Sequence, residues 1–204
     1  TALYSMQFIG PPFTFGINLI NNTTGLIAPN GAVTSPNGVY WMGYDNFYVY
    51  NGTVQKVPCS VLSYVFDDIN SSQVFKIFAF TNNAHDEVGW FYPSADSEEI
   101  DRYVVYDYND NVWTYGQLSR TAWLDEGTVD YPRATSNNYL YEHEFGYNDD
   151  GSPMTNVFIE SSDFDIGDGE QFAFINRVIP DIKFLNNSGG GKVNVVLKTR
   201  NFPG

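Results

Sequence analysis

Four acidic side chains crowd together in the last third of the chain and could bind a cation. Asp163, Asp165, Asp168 and Glu170 fall within eight residues, and carboxylate oxygens are the ligands that Ca²⁺ prefers. The spacing departs from the EF-hand loop, because Phe174 stands where that loop needs its bidentate glutamate. The stretch is a weak calcium candidate, and we favour the alternative of a polar turn between two strands.

A second titratable group is the run Glu142-His143-Glu144. In a strand, its two carboxylates would share one face and its imidazole would lie on the other. Paired carboxylates hydrolyse glycosides only when they flank the sugar, which neighbours on one strand face cannot do. We therefore expect these residues to pair with arginine or backbone groups, and we expect His85 to lie exposed in a turn.

The remaining motifs do not indicate an enzyme. The chain has no Gly-x-Ser-x-Gly elbow, no paired-histidine zinc helix and no phosphate-binding Gly-Lys-Thr loop. Cys59 is the single cysteine, so an internal disulfide and a cysteine metal site are excluded, and we predict a buried, inert thiol. The sequence therefore predicts a protein that has neither catalytic residues nor a cofactor.

Asn-x-Ser/Thr sequences are frequent in the chain. They begin at Asn21, Asn22, Asn51, Asn70 and Asn186. Asparagine side chains bond to the backbone two residues further on and so favour turns. We interpret these sequences as turn chemistry rather than as glycan attachment sites.

The charge is large, negative and unevenly distributed. The chain carries a net charge of −14, and residues 1–176 hold 23 of its 24 acidic residues but 5 of its 10 basic residues. Residues 177–204 carry an excess of positive charge. An acidic body disfavours direct binding to nucleic acid, although it would let nucleic acid pass without adhering.

The positions of the aromatic residues repeat along the chain. Val39-Tyr40-Trp41 followed by an aromatic strand at 47–50 returns 49 residues later as Val88-Gly89-Trp90 followed by 103–108. A repeat near this period is typical of arrays of four-stranded sheets, as in a β-propeller. The four tryptophans are therefore expected in the core or between sheets, not on a sugar-binding surface.

Periodicity and turn residues predict an all-β fold with a short helical insertion. Alternating apolar residues predict strands at 3–9 and 13–20, the second of them half-buried, and Asn51-Gly52 is a strong hairpin signal. One or two short helices are expected within 59–80, with Ser71 capping the second. We assign 1–153 to propeller-like blades, which form part of a propeller, and 154–204 to a C-terminal antiparallel sheet.

Several of these segments together resemble a family of virion proteins from tailed bacteriophages. They are residues 39–43 with 47–52, residues 90–94 with 101–106, residues 120–123, and residues 165–170 followed by 179–181. In this order they are similar to tail tubular or nozzle proteins and to the related head-stabilisation proteins. Members of that family are longer than 204 residues, so we expect this chain to be a piece of a longer protein.

The resemblance implies a structural role in the virion. It implies a β-propeller subunit in a homo-oligomeric ring at the tail, in contact with other tail and head-tail connector subunits, through which DNA passes without sequence-specific binding. We expect no membrane span, and we expect the basic end to meet an acidic neighbour through Lys192, Lys198 and Arg200. Rare cations in the acidic body, among them Arg102, Arg120 and Arg177, are expected to pair with aspartate.

Two other functions remain open from the sequence. A carbohydrate-binding or depolymerising tail protein would need exposed aromatic rings beside a carboxylate pair on one surface. A cellular propeller adaptor would be a monomer that binds a peptide. Glycan binding and the oligomeric state distinguish these alternatives from the ring subunit.

Overall fold

The computed structural model describes residues 2–149, 151–155, 157–161, 174–184 and 192–199. The chain divides into two compact units, Thr1–Tyr147 and Asn148–Gly204. The first contains all the sheets discussed below apart from one short hairpin.

The predicted all-β class is confirmed, with short helical segments between strands. The first unit contains these strands: β1 Leu3–Phe8, β2 Phe15–Asn21, β3 Ala32–Ser35, β4 Gly38–Met42, β5 Phe47–Tyr50, β6 Val54–Lys56, β7 Phe78–Asn82, β8 Glu87–Tyr92, β9 Arg102–Asp107, β10 Val112–Gln117, β11 Ala122–Leu124, β12 Arg133–Ser136 and β13 Tyr139–Glu142. The helix α1 spans Leu62–Asp68, and 3-10 turns span Val74–Lys76 and Asn83–His85.

Chain order sets the strand order in every sheet. β3 to β6 form one four-stranded antiparallel sheet, β7 to β10 a second, and β11 to β13 a three-stranded third, while β1 and β2 pair as a hairpin. None of these sheets closes on itself. Trp41 and Trp90 both lie in the second strand of a four-stranded sheet, which is the structural origin of the sequence repeat.

The first strands of the three larger sheets lie side by side. β3 contacts β7, and β7 contacts β11. Asn30 and Phe78 form a parallel bridge, and the amide of Ala79 donates to the Asn30 carbonyl at 2.7 Å. The third sheet is joined to the second by Trp123, whose indole N–H donates to the Thr81 carbonyl at 2.8 Å. The sheets therefore stack in sequence order.

Aromatic rings fill the space between the first two sheets. Trp90 and Phe47 are fully buried with ring centroids 4.7 Å apart, and Trp113 lies 4.6 Å from Phe47. The indole N–H of Trp90 donates to the Gly31 carbonyl at 2.9 Å, so the buried polar end of this ring is satisfied. The prediction that tryptophans pack in the core is confirmed for Trp90 and Trp113.

The helical insertion is also confirmed, although its predicted cap is wrong. α1 buries Val65 completely against the core. The next helical element is the 3-10 turn Val74–Lys76, and its N-cap residue is Gln73. No side chain caps this turn, so Ser71 does not cap it. The polar side chain that bonds to the backbone here is that of Asn70. Its Oδ1 atom accepts a hydrogen bond from the Ser72 amide at 3.0 Å.

The hairpin β1–β2 forms as predicted, but its second strand is not half-buried. Phe15, Ile17 and Leu19 alternate on one face of β2, yet their exposed fractions are 54%, 67% and 54%. Alternation identified the face correctly. It could not show whether another layer covers that face.

The second unit is described only in parts. Its described strands are the short pair β14 Asn148–Asp149 and β15 Ser152–Pro153. The strands predicted over 154–204 are not present in the described residues of that range, all of which are exposed. The rest of the predicted sheet lies outside the described residues.

Candidate functional site

Eight carboxylates gather at one edge of the second and third sheets. They lie in, or next to, the turns after β7, β9, β11 and β13, and we call them the acidic edge: Asp86, Glu87, Asp107, Asp110, Asp125, Glu126, Asp130 and Glu144. Strand direction explains the gathering. Because β7, β9, β11 and β13 all run toward this edge, every turn that follows them adds its polar side chains there.

Hydrogen bonds hold these turns together. Asp86 adopts a left-handed conformation with φ 57°, and its carbonyl accepts from the Tyr108 amide at 3.0 Å. Asp125 reaches from the third sheet to the second, where its Oδ2 atom accepts from the Thr81 hydroxyl at 2.7 Å and from the Asn83 side chain at 2.6 Å. Asp125 therefore fixes the position of the third sheet at the acidic edge.

The surroundings of Glu87 in the acidic edge raise the pKa of its carboxyl group. Burial raises its pKa, and the negative charges of Glu144 and Asp107 raise it further. A hydrogen bond from the Asn82 amide at 3.0 Å and the neighbouring His85 act in the opposite direction. Mutual repulsion among carboxylates is thus already present at this edge, and an approaching phosphate would meet it as well.

The run Glu142-His143-Glu144 does not form the predicted arrangement. β13 ends at Glu142, and Glu144 has a positive φ of 57°, so the two carboxylates do not share a strand face. Glu142 pairs with Arg133 at 2.9 Å, as expected for a structural residue. Glu144 lies 3.7 Å from His85, whose exposed position in a turn is confirmed.

His143 packs inside the third sheet as a neutral side chain. Its ring lies 4.7 Å from that of Trp123, and its Nε2 atom accepts from the Nε–H of Arg120 at 2.9 Å. Burial and, to a lesser extent, the Arg120 guanidinium lower the pKa of His143 to about 4. Arg120 also covers the ring of Tyr141, with its guanidinium carbon 4.3 Å from the centroid.

We expect His143 to make the protein sensitive to mild acid. Its ordinary pKa is 6.5, so the unfolded chain takes up a proton below that value while the folded chain does not until about pH 4. The contribution of neutral His143 is complete above pH 6.5 and is lost as the pH falls from there toward 4. By pH 5 the loss should be on the order of 1 kcal/mol.

Urea unfolding of the wild type and of His143→Gln, measured between pH 7.5 and 5, checks this expectation. Glutamine keeps an acceptor for Arg120 but does not titrate in this range. The variant should show a flatter dependence of the unfolding free energy on pH. Equal slopes for the two proteins would show that His143 is not held neutral.

The calcium candidates Asp163, Asp165, Asp168 and Glu170 lie outside the described residues. Within the described part, no cluster of three or more histidine, cysteine, aspartate or glutamate side chains has the geometry to hold a metal ion.

The conditions for a glycan site are not met by the residues that the sequence singled out. Trp41, Trp90 and Trp113 are buried, and Trp123 packs on the second sheet. The two carboxylates of residues 142 and 144 are separated. Among the aromatic pairs, Tyr64 and Tyr115 are both exposed, with centroids 4.1 Å apart.

The thiol of Cys59 is half-buried rather than buried. Burial raises its pKa to about 11, so it is protonated at neutral pH and reacts slowly, as predicted. The Asn21 side chain accepts from the amides of Thr23 and Thr24 at 2.7 and 3.0 Å. This geometry agrees with turn chemistry at the first Asn-x-Thr sequence.

The predicted interface cations lie in the second unit. Lys192 and Lys198 are exposed, and Lys198 bonds to Glu160 of the same unit. Arg200 lies outside the described residues. In the first unit, Arg102 pairs with Asp101 at 3.2 Å and with Asp68 at 3.5 Å, which confirms its predicted role.

Sequence reasoning missed Asp125, which joins the second and third sheets at this edge, and the contacts that Arg120 makes within the third sheet. Asp125 was not singled out in the sequence, and the contacts of Arg120 with His143 and Tyr141 were not predicted. Acids follow β7, β9, β11 and β13 in the sequence, but their gathering at one edge depends on which strands run in the same direction.

In the described part of the chain, no helix has both the length and the apolar character that crossing a bilayer requires. No protein-family model matches the sequence, and no curated protein matches it either.

Proposed function

We propose that this chain is a structural subunit of a bacteriophage tail ring of the nozzle type, which guides and retains DNA for ejection. The observation that carries the proposal is the series β3, β7 and β11. These first strands of three consecutive sheets contact one another in order. In a β-propeller the innermost strands of neighbouring blades meet around a central channel in this way.

The segments that resemble nozzle proteins support the same interpretation. Residues 39–43 and 47–52 correspond to β4 and β5, residues 101–106 to β9, and residues 120–123 to the start of β11. The resemblance therefore rests on whole strands and on the packing residues Trp41, Trp90 and Trp123. In this proposal the sheets are propeller blades, and the protein is part of the virion.

The acidic edge supplies the chemistry of the proposed function. Eight carboxylates on neighbouring turns produce a negative potential that repels phosphate groups over a Debye length of about 8–10 Å. DNA would pass such a surface without adhering or being read. Strong retention of DNA would then come from closure of the ring and not from contacts with the bases.

Attraction between the basic end of one subunit and the acidic body of its neighbour would assist assembly. We expect the triple variant Lys192→Glu, Lys198→Glu, Arg200→Glu to form rings or larger assemblies less readily, because the basic end would no longer attract an acidic neighbour. Sedimentation at low and high salt measures the effect. The loss should be largest at low salt, where screening is weakest.

A matched control preserves the charge balance. Exchanging the partners in the double variant Lys198→Glu, Glu160→Lys retains the ion pair within the second unit and the net charge. This protein should assemble like the wild type. An unchanged assembly and salt response in the triple variant would contradict the proposed role of these cations.

A further inference from the structure

The hairpin β1–β2 exposes an apolar face to solvent along its whole length. Across the hairpin, Tyr4 lies opposite Leu19, Met6 opposite Ile17 and Phe8 opposite Phe15, so all six side chains share one face. Their exposed fractions run from 54% to 68%. The opposite face is polar or small, with Ser5, Gln7, Gly16 and Asn18.

The stretch of chain that contains this hairpin has no charged side chain. No aspartate, glutamate, lysine, arginine or histidine precedes Asp45 in the chain. A sheet with one apolar face is stable when that face is covered by a second layer, and two strands alone are marginal in water. Such a face is typical of a protein contact.

The third sheet also has an exposed face that is apolar in part. Trp123, Ala134 and Tyr141 are register neighbours on the face that packs toward the second sheet. The opposite face carries Leu124 and Leu140, which are 48% and 62% exposed. Its charged residues, Arg133 and Glu142, neutralise each other at 2.9 Å.

A shallow depression lies at the end of this outward face. It has a volume of about 660 Å³, it is lined in part by Thr121, Thr135 and Leu140, and none of its seven lining residues is charged. The outward face of the third sheet thus offers apolar and neutral polar groups with room for side chains of a partner. Nearby surfaces at the acidic edge would repel an acidic partner.

We propose that the apolar face of hairpin β1–β2 in one copy of this chain docks on the outward face of β11–β13 in a second copy. Two chains that each carry a net charge of −14 repel one another over most of their surfaces. The hairpin face carries no charge, and the two charges on the outward face of β11–β13 neutralise each other, so copies can meet there without net repulsion. The contact would continue between copies the stacking of sheet on sheet that exists within one copy.

The proposal rests on the proposed ring and specifies how its subunits meet. The two faces differ, so the contact is head-to-tail, and repeated head-to-tail contacts close into a ring when the rotation permits. The hairpin face measures about 20 Å by 10 Å, from six residues and two strands. This is small beside the interfaces of stable dimers, so a single contact is weak and ring closure strengthens it.

Three paired variants test the contact. Met6→Lys with Ile17→Lys places charges on the hairpin face, and Leu124→Lys with Leu140→Lys places them on the receiving face. Ser5→Lys with Asn18→Lys adds the same charge to the polar face of the same hairpin and is the control. Sedimentation velocity up to about 300 µM follows self-association, a range that suits a weak contact.

We expect the wild type and the control to associate with concentration, and each of the other two variants to remain monomeric. Mixing these two variants should restore one contact, because one retains an intact receiving face and the other an intact hairpin. The mixture should therefore form heterodimers and nothing larger. Circular dichroism and the urea midpoint of each variant establish that it is folded.

Three outcomes would overturn the proposal. The wild type could stay monomeric over the whole range; the hairpin variant could still associate; or the mixed variants could fail to form heterodimers. Binding of the monomer to phospholipid vesicles through the hairpin would likewise assign the face to a membrane. None of these results decides whether the protein belongs to a tail ring, because a ring could form through other surfaces.

Discussion

Replacing Trp90 by alanine is expected to lower the free energy of unfolding by about 3–5 kcal/mol. The side chain is fully buried, and its ring lies 4.7 Å from Phe47 and 6.3 Å from Trp113, between the first and second sheets. The substitution leaves a large cavity and removes the hydrogen bond to the Gly31 carbonyl. The backbone amides of both sheets should lose protection from hydrogen exchange together, because the cavity lies at the interface that the two sheets share.

Urea unfolding followed by circular dichroism measures this loss, and Tyr44→Ala is a suitable control. Tyr44 is an aromatic residue of the first unit that is 65% exposed, so its removal should change stability by less than about 0.5 kcal/mol. A Trp90→Ala protein as stable as this control would show that the ring does not join the sheets.

The second large effect is expected at Gly89, in the middle of β8. A β-carbon at this position would lie 2.5 Å from the Cε1 atom of Phe80 and 3.0 Å from the Val104 carbonyl oxygen. The Phe80 ring has little freedom to move, since it lies 4.7 Å from both Phe91 and Trp123. Gly89→Ala should therefore destabilise the protein by about 1–3 kcal/mol.

A second-site change separates this clash from other effects. Phe80→Leu removes the ring that the new methyl group would strike, so Gly89→Ala should cost less in the Phe80→Leu background than in the wild type. Gly16→Ala in β2 is the control, because the nearest atom to the added methyl group belongs to the exposed Ile9 side chain, at 3.2 Å, and not to a packed ring. Equal costs of Gly89→Ala in both backgrounds would contradict the proposed clash.

Local sequence patterns predicted the strands well because their causes are local. Aromatic and β-branched residues at Phe47–Tyr50 favour a strand, and the turn at Asn51-Gly52 completes a hairpin within a few residues. The repeat of Trp41 and Trp90 identified equivalent strands in two sheets. These features depend on neighbours in sequence, so the chain shows them directly.

The features that the sequence did not reveal depend on contacts between distant segments. Asp125 bonds to Thr81 across 44 residues of chain, and Arg120 meets His143 across 23. The predicted half-burial of β2 failed for the same reason, since alternation defines a face but not its cover. The acidic edge required knowledge of which strands run in the same direction.

Electron cryo-microscopy of bacteriophage virions that encode this chain is the sharpest test of the proposal that its sheets stack as blades of a tail ring. We expect a closed ring at the tail end, with antiparallel sheets arranged radially, β3, β7 and β11 lining the inner side, and an open channel. Density that places the chain outside such a ring, or sheets splayed apart with Trp90 and Trp113 in solvent, would contradict it.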